Sequence, residues 1–134
     1  MRPRLVKLLE DIQAAGTAIQ RYTAGMTEGD YGANQQARRA VEREFEIIGE
    51  AMRRISAEFP AIVERIESAP RIISFRNVLT HGYDVVEDPI VWSIVVKRLP
   101  TLLAEVRALL ARVLGLNVED QAAIPDVVVV AQDG

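Results

Sequence analysis

The sequence predicts an all-α protein: an up-down bundle of four main helices with short helical segments between them, paired as a homodimer. Apolar residues recur by threes and fours along most of the chain, the period of a helix with one face in a core. Gly25, Pro60 and Gly115 punctuate those runs where helices would stop. Apolar residues make up 49% of 134, enough for one domain to bury a core of its own.

Pro3 suits a first helical turn. Leu5, Leu8, Ile12, Ala15, Ile19 and Tyr22 then form one stripe, and Gly25 follows as a stop, so the first long helix spans about residues 4–24. Thr27 to Asp30 reads as a polar turn near a helix start. The second long helix has the clearest seam: Val41, Phe45, Ile48, Met52, Ile55 and Phe59 step by 4, 3, 4, 3 and 4 up to Pro60. Seams this regular often leave a stripe for a second subunit. Gly49 inside this helix costs about 1 kcal/mol relative to alanine, which a close helix approach would offset, for instance at a subunit contact. Arg38, Arg39, Arg43, Arg53 and Arg54 lie off the seam. They read as a solvated face paired with Glu42 and Glu50, or as guides for phosphates.

Ala61 to Glu67 is a short helical piece, and the third long helix runs from about 70 to 82. Asp88-Pro89 is a cap followed by a first-turn proline. Val91, Val95, Leu99, Leu102, Val106, Leu109 and Val113 carry a last stripe to Gly115, with a kink or break expected at Pro100. Trp92 either packs in the core or stands beside the third helix's polar end. The helical domain is therefore 1–116. Residues 117–134 change character: Val127 to Val130 is β-branched, and this tail is either disordered or a strand added to a partner's sheet edge.

The chemistry concentrates in Arg76-Asn77-Val78-Leu79-Thr80-His81-Gly82-Tyr83, which holds the chain's one histidine. Ile72, Phe75 and Leu79 put one face of this segment in the core, while Arg76 and Thr80 stand one turn apart on an adjacent face. Five residues separate Arg76 from His81, roughly 140° around a regular helix. Gly82 is a helix-ending residue, so a distorted last turn would bring the histidine back toward the arginine; alternatively, a second copy across a two-fold axis would unite the two. An arginine offers a fixed fork of donors to phosphate oxygens and keeps its charge. A histidine titrates near neutrality and can take or give a proton. RNA supplies its own nucleophile, the 2′-hydroxyl, so no metal is required by this chemistry. A single histidine near a helix end also suits a plain dipole partner.

Arg76-x4-His81-x-Tyr83, with Asn77 directly after the arginine, resembles the signature of the HEPN superfamily. More narrowly it resembles the HepT-like toxins paired with a minimal nucleotidyltransferase antitoxin. Ala40-Val41-Glu42-Arg43 through Phe45-Glu46-Ile47-Ile48-Gly49-Glu50-Ala51 resembles that family's second helix, and Val91-Trp92 fits its final helical region. The resemblance covers about residues 4–115; Arg71-Ile72-Ile73-Ser74-Phe75 is only loosely family-like. It implies a homodimer with a cleft at the two-fold axis lined by both octets. It also implies that Tyr83 is the hydroxyl the antitoxin modifies with AMP, ATP being the antitoxin's substrate; a base-stacking role for Tyr83 is the other reading.

The expected function is thus a metal-independent RNA endonuclease acting as a toxin, with no cofactor. Arg76 would bind the scissile phosphate, His81 would act as general acid or base, and Asn77 and Thr80 would support them. AMP on Tyr83 would place phosphate charge in the cleft and shut it. The alternative is a non-catalytic helical module that binds nucleotide or RNA, or that serves as antitoxin or accessory subunit of a nucleotidyltransferase complex. The absence of cysteine excludes disulfides and thiolate metal sites. Together with Glu10 and Asp11 interrupting the N-terminal apolar run, and with no run of membrane-spanning length, it points to a cytoplasmic protein. The net charge of −3 argues against coating nucleic acid broadly. Only Lys7 and Lys97 are lysines among the 16 basic residues, a bias that suits bidentate pairing with carboxylate or phosphate.

Overall fold

A computed structural model describes residues 2–81 and 88–115, with the side chains of residues 2, 3, 80, 81 and 88 outside the description. Seven α-helices follow in order: α1 (Arg2–Thr23), α2 (Glu28–Ala33), α3 (Gln35–Glu58), α4 (Pro60–Val63), α5 (Ala69–His81), α6 (Asp88–Ser93) and α7 (Leu99–Leu114). A π-helical turn, Ile94–Arg98, joins the last two. No strand occurs among the described residues, and no helix there is long and apolar enough to cross a membrane.

The seams explain the packing. Leu5, Leu8, Ile12, Ala15 and Ile19 of α1 are buried, as are Val41, Phe45, Ile48, Met52 and Ile55 of α3. On α7 the buried residues include Leu99, Leu102, Val106, Leu109 and Val113. Together they make one core, with α1 packed between α3 and α7 and with α5 laid on α3. The α1 and α3 axes run antiparallel, since Arg4 near the start of α1 pairs with Glu58 at the end of α3. Gly16 lets α1 approach α7: a Cβ there would stand 2.6 Å from Leu103 Cδ2. Phe45 and Phe75 meet edge to face across α3 and α5, ring centroids 5.3 Å apart.

Local signals set the helix ends. Gly25 takes φ 75° just after α1, and Gly115 takes φ 70° as the C-cap of α7. Thr27 and Asp30 form a reciprocal capping box that starts α2. The side chain of Asn34 accepts from the Ala37 amide at 2.9 Å and starts α3. Phe59, placed before a proline, leaves the helical region and ends α3. The break expected at Pro100 takes the form of a π-helical turn just before it. The Leu99 amide reaches back five residues to the Ile94 carbonyl, and α7 restarts with the proline in its first turn.

One expectation needs correcting. Tyr22 leaves the α1 stripe: it is 38% exposed, and its hydroxyl lies 3.5 Å from Glu44 Oε2. The helix start expected near residues 27–30 is that of α2, whose Tyr31 is fully buried. Trp92 takes the core role, packing on Tyr31 with ring centroids 5.4 Å apart. The tail 117–134 and Gly82 lie outside the described residues.

Candidate active site

Arg76 is where the polar chemistry and the packing meet. Helix α5 approaches α3 closely at this residue because α3 carries a glycine opposite it. A Cβ built on Gly49 would overlap Arg76 Cβ and stand 2.5 Å from its Cγ and 3.4 Å from its Cα. The close approach that offsets a glycine in mid-helix is met within the chain, on Arg76 of α5.

The next residue on α3 completes the arrangement. Glu50 Oε1 lies 3.3 Å from Arg76 Nη2. The same carboxylate accepts from Arg53 Nε at 3.1 Å and Nη2 at 2.9 Å, and from Arg54 Nε at 2.8 Å. Hydrogen bonds from Arg53 and then Arg54, with the nearby charge of Arg76 adding to them, hold the Glu50 carboxyl down at about 2. Glu50 is therefore an anion at any physiological pH and anchors three guanidinium groups. Arg76 itself is half-buried, its side chain 23% exposed. That is a desolvated setting in which a fixed positive charge acts strongly. Its Nη1 also lies 3.4 Å from Asn77 Oδ1.

Arg76 opens onto a hollow of about 360 Å³ between α1, α3 and α5. The polar lining is Asp11, Arg43, Glu46, Glu50, Arg54 and Arg76, over Leu8, Ile47 and Ala51. Most of the charges are already matched: Arg43 sits 3.5 Å from Glu46, and Asp11 bonds Lys7 at 2.6 Å. Arg76 touches its carboxylate at the longest distance of the three Glu50 partners and lines the hollow. An anion carrying two or more oxygens would find bidentate donors there.

Arg76 and Asn77 are adjacent and in contact. Thr80 and His81 occupy the last turn of α5, but their side chains lie outside the described residues, as does Tyr83 entirely. Sequence reasoning missed Glu50 as a partner of Arg76 and Asp11 as a wall of the hollow. Glu50 did carry a signal, since it follows Gly49 in the Ile-Gly-Glu-Ala stretch.

The described residues are helical, and the half-buried Arg76 stands beside Glu50 on the same helix that ends in His81, an arrangement that fits the HEPN class. Comparison with known proteins narrows this: the sequence matches the family described as Ribonuclease HepT-like over residues 12–109, and the chain belongs to that family. It is 32% identical over 109 residues to the "Putative RNase MJ1380" of Methanocaldococcus jannaschii, covering 79% of this chain and 97% of that one. It is 30% identical over 113 residues to the "Putative RNase TTE0752" of Caldanaerobacter subterraneus, covering 83% and 95%. With the "Probable ribonuclease HepT" of Thermococcus cleftensis it shares 31% identity over 94 residues, covering 70% and 84%. No solved structure matches the chain.

Proposed function

We propose that this chain is a metal-independent RNA endonuclease and the toxin of a toxin–antitoxin pair. The observation that carries the reading is the half-buried Arg76, pressed against Gly49 and held by Glu50 at the edge of an open hollow. An arginine so fixed suits charge that develops on a phosphate in the transition state, because the donors need no rearrangement when the charge appears. Membership of the Ribonuclease HepT-like family supports RNA as the substrate.

In the reaction, the RNA 2′-oxygen attacks the adjacent phosphorus and the bond to the 5′-oxygen breaks. The products are a 2′,3′-cyclic phosphate and a free 5′-hydroxyl. His81 takes the proton of the 2′-hydroxyl or gives one to the departing 5′-oxygen, and Arg76 binds the phosphoryl oxygens. Asn77 steadies the arginine or the phosphate by hydrogen bonding, and Thr80 supports the same turn. The four long helices form an up-down bundle that pairs as a homodimer, so that two copies of α5 line one cleft. A partner nucleotidyltransferase consumes ATP to place AMP on Tyr83. The added phosphate charge and nucleoside then occupy the cleft and compete for Arg76. The chain acts in the cytoplasm.

Growth after induction in cells tests this reading. The wild-type chain should arrest growth, while Arg76→Ala and His81→Ala should not, at equal amounts of soluble protein. RNA recovered from arrested cells should carry new 2′,3′-cyclic phosphate ends. Arrest that persists in both variants would remove the octet from the activity.

A further inference from the structure

A second hollow, of about 540 Å³, lies between the first turns of α5 and the α6–π segment. Its polar lining is Arg71 from α5 and Ser93, Lys97 and Arg98 from the other wall, over Ile90 and Ile94. Its described lining thus holds three cations and no carboxylate. Two features set it apart from the hollow at Arg76. There, most of the arginines are matched by glutamates. Here, no ion pair joins Arg71, Lys97 or Arg98 to a described carboxylate. The chain as a whole is acidic, at −3, so three cations gathered without a carboxylate among the described lining residues go against its general balance. The backbone contributes too. Lys97 and Arg98 close the π-helical turn, a rare widening of the helix that recurs at functional sites. Pro100 keeps that turn from winding as an ordinary α-helix, since it has no amide to donate.

We infer that the hollow of Arg71, Ser93, Lys97 and Arg98 is a second phosphate-binding site, which grips the RNA backbone away from the scissile bond. This rests on the ribonuclease reading above. Guanidinium forks, an ammonium and a hydroxyl are the groups that take phosphate oxygens. Arg71 stands ten residues before His81 on α5, about 15 Å along the helix axis. A strand held at both places spans more than one nucleotide, so the hollow adds affinity and register without adding sequence preference.

The test uses the full-length chain with His81→Ala, which removes the proposed proton-transfer group. Its ligand is a fluorescent single-stranded RNA of about 20 nucleotides, a length that covers typical single-strand footprints, with every 2′-hydroxyl methylated to prevent cleavage. Anisotropy is read across a salt series. Adding Arg71→Gln, Lys97→Gln and Arg98→Gln together should weaken binding at least tenfold. It should also lower the steepness of the salt dependence by about 2, three phosphate contacts at roughly 0.7 each. Lys97→Gln alone, at an exposed position, should lower it by about 0.7 with an unchanged melting curve. Unchanged RNA affinity and salt slope in the triple variant overturn the proposal and leave the ribonuclease reading intact; the hollow would then fit an acidic protein surface better. If the parent chain binds no RNA at any salt and the wild type cuts none, both readings fail together.

Discussion

Gly49 on α3 and Arg76 on α5 meet so closely that a methyl group at residue 49 would overlap the arginine's Cβ. The contact falls at the base of the side chain, where it fixes the direction in which the guanidinium leaves the helix. One residue later, Glu50 meets the far end of the same side chain at 3.3 Å. The arginine is thus positioned at both ends by consecutive residues of one helix.

Gly49→Ala should be destabilising, although alanine favours helix by about 1 kcal/mol. Cβ and Cα of Arg76 belong to or adjoin the backbone and cannot rotate away, so α3 and α5 must separate. Overpacking of this kind costs about 1–3 kcal/mol. Urea unfolding should show a lower midpoint with a similar slope, and RNA cleavage should fall because Arg76 is displaced. A midpoint at or above the wild type would contradict the close approach.

Glu50→Gln keeps the shape and removes the charge. The folded carboxyl sits near 2 against an ordinary 4.5. Its stabilisation is therefore fully present above about pH 4.5 and is lost as the pH falls through about 2. The variant should be less stable at neutral pH by about 1 kcal/mol, the scale of partly exposed charge pairs. Its stability should also change less than the wild type's between those two pH values. Thermal unfolding over an acid pH series checks both. Parallel curves for the two chains would mean that Glu50 does not anchor the arginines.

Tyr83→Phe removes the proposed modification site. Incubation with ATP and the partner nucleotidyltransferase should add the mass of AMP to the wild-type chain and nothing to the variant, read by intact-protein mass spectrometry. The Tyr83→Phe chain should still arrest growth when both partners are present. AMP found on the variant would move the modification to another hydroxyl.

Much of the fold could be read from periodicity. Every seam residue named on the second long helix is buried, and so is every residue of the last stripe. Ends were harder. The α3 helix begins at Gln35, six residues before its seam, because Asn34 caps it. A stripe cannot register a polar first turn. Tyr22 had the right spacing and the wrong environment, since its hydroxyl reaches Glu44 at the bundle surface. Pro100 announced a disturbance but not its form, because the bond from Leu99 to Ile94 that absorbs it depends on the register of the whole segment. At the candidate site, Arg76 and Asn77 were legible as an adjacent pair. The i,i+4 spacing pairs Glu50 with Arg54, as the structure has it, and the structure adds Arg53 at i,i+3. Spacing within one helix could not reveal that Arg76 reaches it from another. Likewise Gly49 signalled a close approach without naming its partner.

Arg76 and His81 are proposed to cut RNA without a metal. Purified, unmodified wild-type chain should be incubated with cellular RNA in excess EDTA beside Arg76→Ala and His81→Ala, with circular dichroism and light scattering showing that all three share fold and assembly. Cleavage by the wild type that survives EDTA and disappears in both variants is the predicted result. If the wild type cuts nothing, and the substitutions alter only its affinity for nucleotide, RNA or the nucleotidyltransferase, the claim fails and the chain is a binding module.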